Sequence, residues 1–147
     1  MNDSDSSIED VSGNPLISTT ASGEDFEITD RFGLGGSSQD VKIVGDYGYV
    51  AQTQGLYIYN ISNLVTPTLV GRYKTVGNAT SVAVAVYYAY VADSSYGLVV
   101  VDISNPASPS LVVSYDTIGT AYGVALSGGY VLLADDDNGL EIINLNQ

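Results

Sequence analysis

The chain contains no cysteine and no histidine, and these two absences remove several kinds of chemistry at once. Without cysteine, a disulfide framework and a thiolate metal site are both excluded. Without histidine, the chain lacks the commonest general base and the commonest metal ligand. We therefore expect a protein that is not an enzyme and has no cofactor. No apolar run approaches the roughly 18 residues that a membrane span requires, so no membrane span is predicted.

Positive charge is also scarce, with four Lys and Arg residues against 17 Asp and Glu residues and a formal net charge of −13. A chain of this charge would repel nucleic acid and anionic membranes, so nucleic-acid binding is excluded. Only 14% of the residues are charged. The low charge, the missing cysteine and the abundance of Ser, Thr, Gly and Tyr lead us to expect an extracellular or cell-surface protein.

An internal repeat dominates what is present. The 16 glycines, 12 tyrosines and many valines favour strands and tight turns. Val82 follows Val41 by 41 positions, and Val124 follows Val82 by 42. Two further sets of anchors keep the same spacing: Ala51, Ala92 and Ala134, and Gly55, Gly97 and Gly139. Self-similarity at such a period is the sequence signature of a repeat architecture.

Each repeat is interpreted as four short strands, a to d. Glycine-containing turns separate strands b and c, and proline-containing connectors separate c and d. The predicted blades cover residues 41–74 and 82–115, and strands a to c of a third cover 124–145. A segment at 26–32, containing Phe26, Ile28, Arg31 and Phe32, matches strand d. We therefore predict an all-β domain at 26–147 of three four-stranded antiparallel propeller-type blades, with the first outer strand permuted to the N-terminus. Residues 1–25 are predicted to form an acidic arm.

One stretch resembles a known repeat. Residues 98–109 read Leu-Val-Val-Val-Asp-Ile-Ser-Asn-Pro-Ala-Ser-Pro, which is similar to the LVIVD repeat of a β-propeller family. Residues 56–62 and 140–146 carry weaker versions of it. The resemblance implies a propeller fold and a bacterial or archaeal surface or secreted protein. Members of that family carry more blades than three.

Three blades are fewer than the four to eight that close a propeller around an axis. An open array would expose two apolar blade faces and a strand edge. We therefore expect a structural, self-associating module in which other copies complete a ring or a filament. Phe26, Ile28, Arg31 and Phe32 would form the donated strand. The alternatives are a fragment of a longer surface propeller and a ligand-binding propeller.

Two sets of polar residues support the ligand-binding alternative. Asp135 and Asp137 lie in an acidic cluster that could bind calcium, although the spacing of a calcium loop is absent. The competing interpretation of this cluster is an exposed hairpin turn whose charges serve solubility. Loops at one end of the blades are expected to gather Asp93, Tyr96, Asp116 and Tyr122 on a rim. Tyrosines beside acids favour a carbohydrate or peptide ligand, and ordinary surface loops are the competing interpretation.

Overall fold

The structure, a computed structural model, describes residues 8–9, 15–17, 28 and 36–145. The chain divides into two units, residues 1–31 and 32–147. In the first unit, β1 (Ile8–Glu9) pairs antiparallel with β2 (Pro15–Ile17). No helix in the described parts of the chain is long and apolar enough to cross a membrane.

The second unit contains three antiparallel sheets in which neighbouring strands follow one another along the chain. Sheet 1 consists of β3 (Ser38–Val44), β4 (Tyr47–Gln52), β5 (Gly55–Asn60) and β6 (Thr68–Lys74). Sheet 2 consists of β7 (Ser81–Ala85), β8 (Tyr88–Ala92), β9 (Leu98–Asp102) and β10 (Ser110–Tyr115). Sheet 3 consists of β11 (Gly123–Ser127), β12 (Tyr130–Ala134) and β13 (Leu140–Asn144). Within residues 36–145, sheet 3 therefore has one strand fewer than the other two sheets. The prediction of an all-β protein built from three blade-like sheets is confirmed.

Alternation along the strands gives each sheet two apolar faces. In β9, Val99 and Val101 point to one side and Leu98 and Val100 to the other, and all four are buried. Strands that are buried on both faces read as continuous apolar runs, which explains the Leu-Val-Val-Val sequence of this strand. Sheet 2 is the middle layer of the unit, and its two faces form the centres of two separate hydrophobic clusters.

The turns between the first two strands of each sheet occupy equivalent positions, but one of them contains a residue that suits it poorly. Gly45 and Gly128 have φ angles of 58° and 59°. Val86 takes the same place in sheet 2 with a φ of 54°. A β-branched residue in the left-handed region is sterically strained, at a cost of about 1–2 kcal/mol.

The turn between β12 and β13, which the sequence predicts only as a glycine-containing turn, is not a simple hairpin turn. Residues Asp136–Asn138 form a single turn of 3-10 helix instead. Asp136 has a φ of 47° and Gly139 a φ of 76°, whereas Asn138 has no positive φ. The hairpin is closed by a 2.7 Å bond in which the N–H of Asp135 donates to the carbonyl of Gly139. Asp93 and Gly97 form the equivalent 2.7 Å bond in sheet 2.

Candidate functional site: the two ends of the repeat array and its rim

Each sheet has one face on the side of the next sheet along the chain and one face on the side of the previous sheet, and in sheet 2 both faces are covered. We call these the leading face and the trailing face. The leading face of sheet 1, including Tyr49, Leu56 and Ile58, packs on the trailing face of sheet 2, which includes Val82 and Val91. The leading face of sheet 2 packs in the same way on the trailing face of sheet 3. The same face-to-face junction is therefore formed twice within the chain.

The leading face of sheet 3 is exposed. Leu140 is 59% exposed and Ile142 is 63% exposed, whereas the equivalent Leu98 and Val100 of sheet 2 are 2% and 6% exposed. Full burial of a Leu or Ile side chain is worth about 1.5–3 kcal/mol. Covering this face as the other leading faces are covered would thus contribute about 1–2 kcal/mol for each of these two side chains.

The trailing face of sheet 1 is exposed along β3, the first strand of the sheet, which we call its inner strand. Val41 is 52% exposed, whereas the equivalent Val82 is fully buried. Val41 lines a shallow, largely apolar depression of about 200 Å³ together with Ile43, Val50 and Ile61. The part of this face that lies on β5 is not exposed, because Tyr59 is buried there. The inner half of the trailing face is therefore the part that a further sheet could cover.

The internal junctions carry a polar link that the sequence does not reveal. The carboxylate of Asp40 accepts bonds of 3.0 Å from the hydroxyl of Ser81 and 3.0 Å from the N–H of Val82. The hydroxyl of Ser81 in turn accepts a 3.3 Å bond from the N–H of Val124. This link, which we call the junction clasp, joins the inner strands of all three sheets.

The clasp controls the ionisation of Asp40. Burial raises the pKa of this carboxyl, but the N–H of Val82, the hydroxyl of Ser81 and the ammonium of Lys42 together outweigh that effect. The pKa of Asp40 therefore lies below its ordinary value. The ammonium of Lys42 forms a 3.3 Å salt bridge with Asp40.

The remaining described cations lie together at one end of the array. Arg72 and Lys74, on the outer strand of sheet 1, are exposed and form no salt bridge within the described residues. They border a depression of about 180 Å³ with Gln54 and Tyr57. Lys74 pairs with Gly55, which places it at the end of the sheet that carries the β4–β5 turn. The corresponding turn of sheet 3 carries the exposed carboxylates Asp136 and Asp137, so the two ends of the array have opposite local charge.

Asp93 and Asp135, which the sequence suggests for the rim and for a calcium site, are completely buried. The carboxylate of Asp135 accepts bonds from the hydroxyl of Thr117 at 2.9 Å, the N–H of Gly119 at 3.2 Å and the amide of Asn138 at 3.1 Å. These bonds connect the loop before β11 to the β12–β13 turn. Asp137 is exposed, and the described residues contain no cluster of three or more acidic side chains that could hold a metal. Calcium binding by Asp135 and Asp137 stays a prediction.

Asp93 makes a less complete version of the same contacts. Its Oδ2 accepts a 2.9 Å bond from the N–H of Gly77, but its Oδ1 has no hydrogen bond within the described residues. Burial raises the pKa of Asp93 above its ordinary value, and the hydroxyl of Thr75 and the N–H of Gly77 offset only part of this effect. In both sheets a Thr-x-Gly sequence precedes the aspartate. That pattern is the signal by which sequence reasoning could have assigned these carboxyls to structural positions.

The other predicted rim residues lie at the surface. Tyr96 is 47% exposed, Tyr122 is 56% exposed, and Asp116 is exposed as well. Among the predicted self-association residues, Ile28 is 65% exposed, and Phe26, Arg31 and Phe32 lie outside the described residues. The donated strand therefore stays a prediction.

Three stacked sheets with repeated face-to-face junctions define a β-propeller-type repeat module. The LVIVD repeat model matches residues 35–75, 76–117 and 118–145. The chain therefore belongs to the LVIVD-repeat family, as the resemblance of residues 98–109 indicated.

One solved structure supports the fold, and a second shows a weaker likeness. The chain is similar to the crystal structure of the computationally designed Ika8 protein, with a TM-score of 0.62 and 11% identity over 74% of this chain and 33% of that one. This chain thus spans about a third of the designed protein's length. The computationally designed Ika4 protein gives a TM-score of 0.49 and 7% identity over 77% of this chain and 94% of that one. No curated protein matches the chain.

Proposed function

We propose that the protein is a non-catalytic, self-assembling structural module whose copies associate head to tail, the leading face of sheet 3 packing on the trailing face of sheet 1 of the next copy. The observation that carries this proposal is the contrast between equivalent residues. Ile142 is 63% exposed at the end of the array, whereas Ile58 and Val100 are buried at the internal junctions. Because the same kind of face-to-face junction is already formed twice within the chain, the exposed inner half of the trailing face of a second copy is a suitable surface for this face to cover.

Charge supports the same arrangement. Arg72 and Lys74 lie at one end of the array and Asp136 and Asp137 at the other, at the same edge of their sheets. Head-to-tail packing would bring these opposite charges near one another. Each such pair, being exposed, would contribute about 0.2–1 kcal/mol and would be screened by salt. Association is therefore expected to weaken as the salt concentration rises, without being abolished.

Sedimentation velocity over a series of protein concentrations tests the proposal. The wild-type chain is expected to gain mass with concentration, either to a closed oligomer or to a continuing series of larger species. Ile142→Asp should weaken association at least about tenfold, since it removes about 1–2 kcal/mol of burial and adds a carboxylate to an apolar contact. Ile118→Asp is the matched control, because Ile118 is 95% exposed and lies on neither face. A wild-type chain that stays monomeric throughout would overturn the proposal.

We further propose that residues 26–32 of one copy form the missing outer strand beside β13 of another copy. Two observations support this: sheet 3 has three strands within the described residues, and the sequence at 26–32 matches strand d. Phe32 is the counterpart of Tyr73, which pairs with Leu56, so Phe32 is expected to pair with Leu140. Directly paired residues in an antiparallel sheet have Cα atoms about 4.5–5.5 Å apart, within the range of a disulfide.

The cysteine-free chain makes this pairing simple to test. A Phe32→Cys/Leu140→Cys variant should form an intermolecular disulfide on oxidation, seen as a ladder or a dimer on a non-reducing gel. Phe32→Cys/Ile118→Cys is the control that should not form one. A crosslink within a single chain would overturn strand exchange but keep the pairing, and no crosslink at all would overturn the pairing. An extracellular or cell-surface location remains part of the proposal, and it is supported by composition alone.

A further inference from the structure

We infer that a polar depression at the inner edge of the rim is a binding site for a neutral carbohydrate. The depression has a volume of about 280 Å³, close to the lower end of small-molecule sites at roughly 300 Å³, which suits a single sugar ring. Equivalent positions of successive repeats build it. Ser37 and Asn78 come from the segments before β3 and β7, and Thr53 and Ser94 come from the turns after β4 and β8.

At a third set of equivalent positions, the third repeat carries a different kind of side chain from the first two. These positions are Gln39, Thr80 and Tyr122, so the third repeat places an aromatic ring where the first two have shorter polar groups. Tyr122 is 56% exposed. A tyrosine ring can pack against the C–H face of a pyranose while polar groups around it bond the hydroxyls. The combination of one exposed ring with several neutral donors and acceptors favours a sugar.

The backbone beside Tyr122 is held firmly. The hydroxyl of Thr80 donates a 2.9 Å bond to the carbonyl of Ala121. The N–H of Ala121 donates a 2.9 Å bond to the carbonyl of Ser94, and the N–H of Tyr122 donates a 2.9 Å bond to the carbonyl of Ala134. Three bonds to three separate segments of the chain thus hold the backbone from which the ring projects. A preorganised site of this kind loses little conformational entropy when it binds a ligand.

Several polar groups of the depression remain available. The side chains of Gln39, Asn78 and Ser94 form no hydrogen bond within the described residues. The amides of Gln39 and Asn78 can both donate and accept, which matches a pair of neighbouring sugar hydroxyls. The hydroxyl of Thr53, in contrast, is already used, because it accepts a 2.8 Å bond from the N–H of Ser37.

The lining also argues against other ligands. It contains no cation for a phosphate or a carboxylate, and no carboxylate for calcium. A chain with a net charge of −13 would also repel an acidic ligand. All lining side chains belong to one copy of the chain, so the inference does not rest on self-association.

Titration of ¹⁵N-labelled protein with glucose, galactose, N-acetylglucosamine and their β1–4 disaccharides tests the inference by NMR. Saturable shifts are expected for the side-chain amides of Gln39 and Asn78 and for the N–H of Ser94, with at least one of these sugars. Tyr122→Ala should weaken binding about tenfold, and Tyr122→Phe should keep most of it. Tyr96→Ala is the matched control, because Tyr96 is an exposed rim tyrosine outside the depression.

Three results would overturn the inference. One is the absence of a saturable shift at about 10 mM of every sugar, where even a millimolar affinity would be seen. Another is unchanged binding by a Tyr122→Ala variant that melts like the wild type. The third is a preference for glucuronic acid over glucose. An Asn78→Ala variant provides an independent check, since it should weaken binding several-fold while leaving the aromatic ring in place.

Discussion

Removal of the Asp40 carboxylate should weaken the junction between sheet 1 and sheet 2 and so lower the free energy of unfolding. Asp40→Ala deletes the acceptor of two 3.0 Å bonds and leaves the N–H of Val82, a fully buried residue, without a partner. A buried hydrogen bond to a charged group is worth about 1.5–3 kcal/mol. The Asp40 side chain is 25% exposed, so we take about 1–1.5 kcal/mol for each bond and expect a loss of about 2–3 kcal/mol.

Equilibrium unfolding in urea measures this loss. Asp46→Ala is the matched control, because Asp46 is exposed in the β3–β4 turn and its replacement changes the net charge equally. The folded pKa of Asp40 is below its unfolded value of 3.8, so its stabilisation is present above pH 3.8 and is lost as the pH falls through the folded pKa. The difference between wild type and Asp40→Ala should shrink over that window. An Asp40→Ala variant no less stable than Asp46→Ala, or a difference that persists unchanged in acid, would refute the clasp.

The remaining predictions concern local structure. Val86→Gly should stabilise the chain by about 0.5–1 kcal/mol in urea unfolding, because it relieves strain of about 1–2 kcal/mol at a φ of 54°. Part of this gain is cancelled, since glycine loses more backbone entropy on folding than valine does. Val76→Gly is the control: Val76 is exposed and has no positive φ, so its replacement should not stabilise the chain. Asp135→Asn should cost about 2 kcal/mol, because an amide cannot accept from all three donors. Asp93→Asn should be neutral or stabilising at pH 7. Because the pKa of Asp93 is raised in the folded chain, its contribution to stability is present at low pH and is lost as the pH rises through the folded pKa. An equal loss of stability in Asp93→Asn and Asp135→Asn would contradict this. Gly119→Ala should lower the melting temperature far more than Gly123→Ala, because the new Cβ would lie 2.7 Å from the carbonyl oxygen of Asp135 rather than 3.5 Å from the Cβ of Ala134.

The architecture follows from the sequence because it depends on periodic features. The 41- and 42-residue spacing of Val41, Val82 and Val124 predicts the number of sheets. Apolar runs such as Leu98 to Val101 predict strands that are buried on both sides. These signals are repeated, so each copy supports the interpretation of the others.

The candidate site follows less well, because it depends on residues in which the repeats differ. Asp93 and Asp135 look like surface acids when each turn is considered alone, but both are buried under the loop that carries Gly77 or Gly119. Asp40 stands before the anchor valine and has no counterpart of its own type in the other repeats. Its role becomes visible only when the next sheet is placed against it, since its partners lie 41 and 42 positions away.

The same comparison explains why a junction between copies would differ from the junctions within one. At an internal junction, Asp40 or Ser81 reaches the N–H of the following sheet. The equivalent residue of sheet 3 is Gly123, which has no side chain to offer. At the other end, the N–H of Val41 is already bonded at 2.9 Å to the carboxylate of Asp40 in the same chain. Where the two faces meet, a junction between copies would therefore rest on apolar burial and exposed charge, without the junction clasp. This face-to-face packing is weaker than that at an internal junction, so the association that we propose should depend on the donated strand as well and should rise with protein concentration.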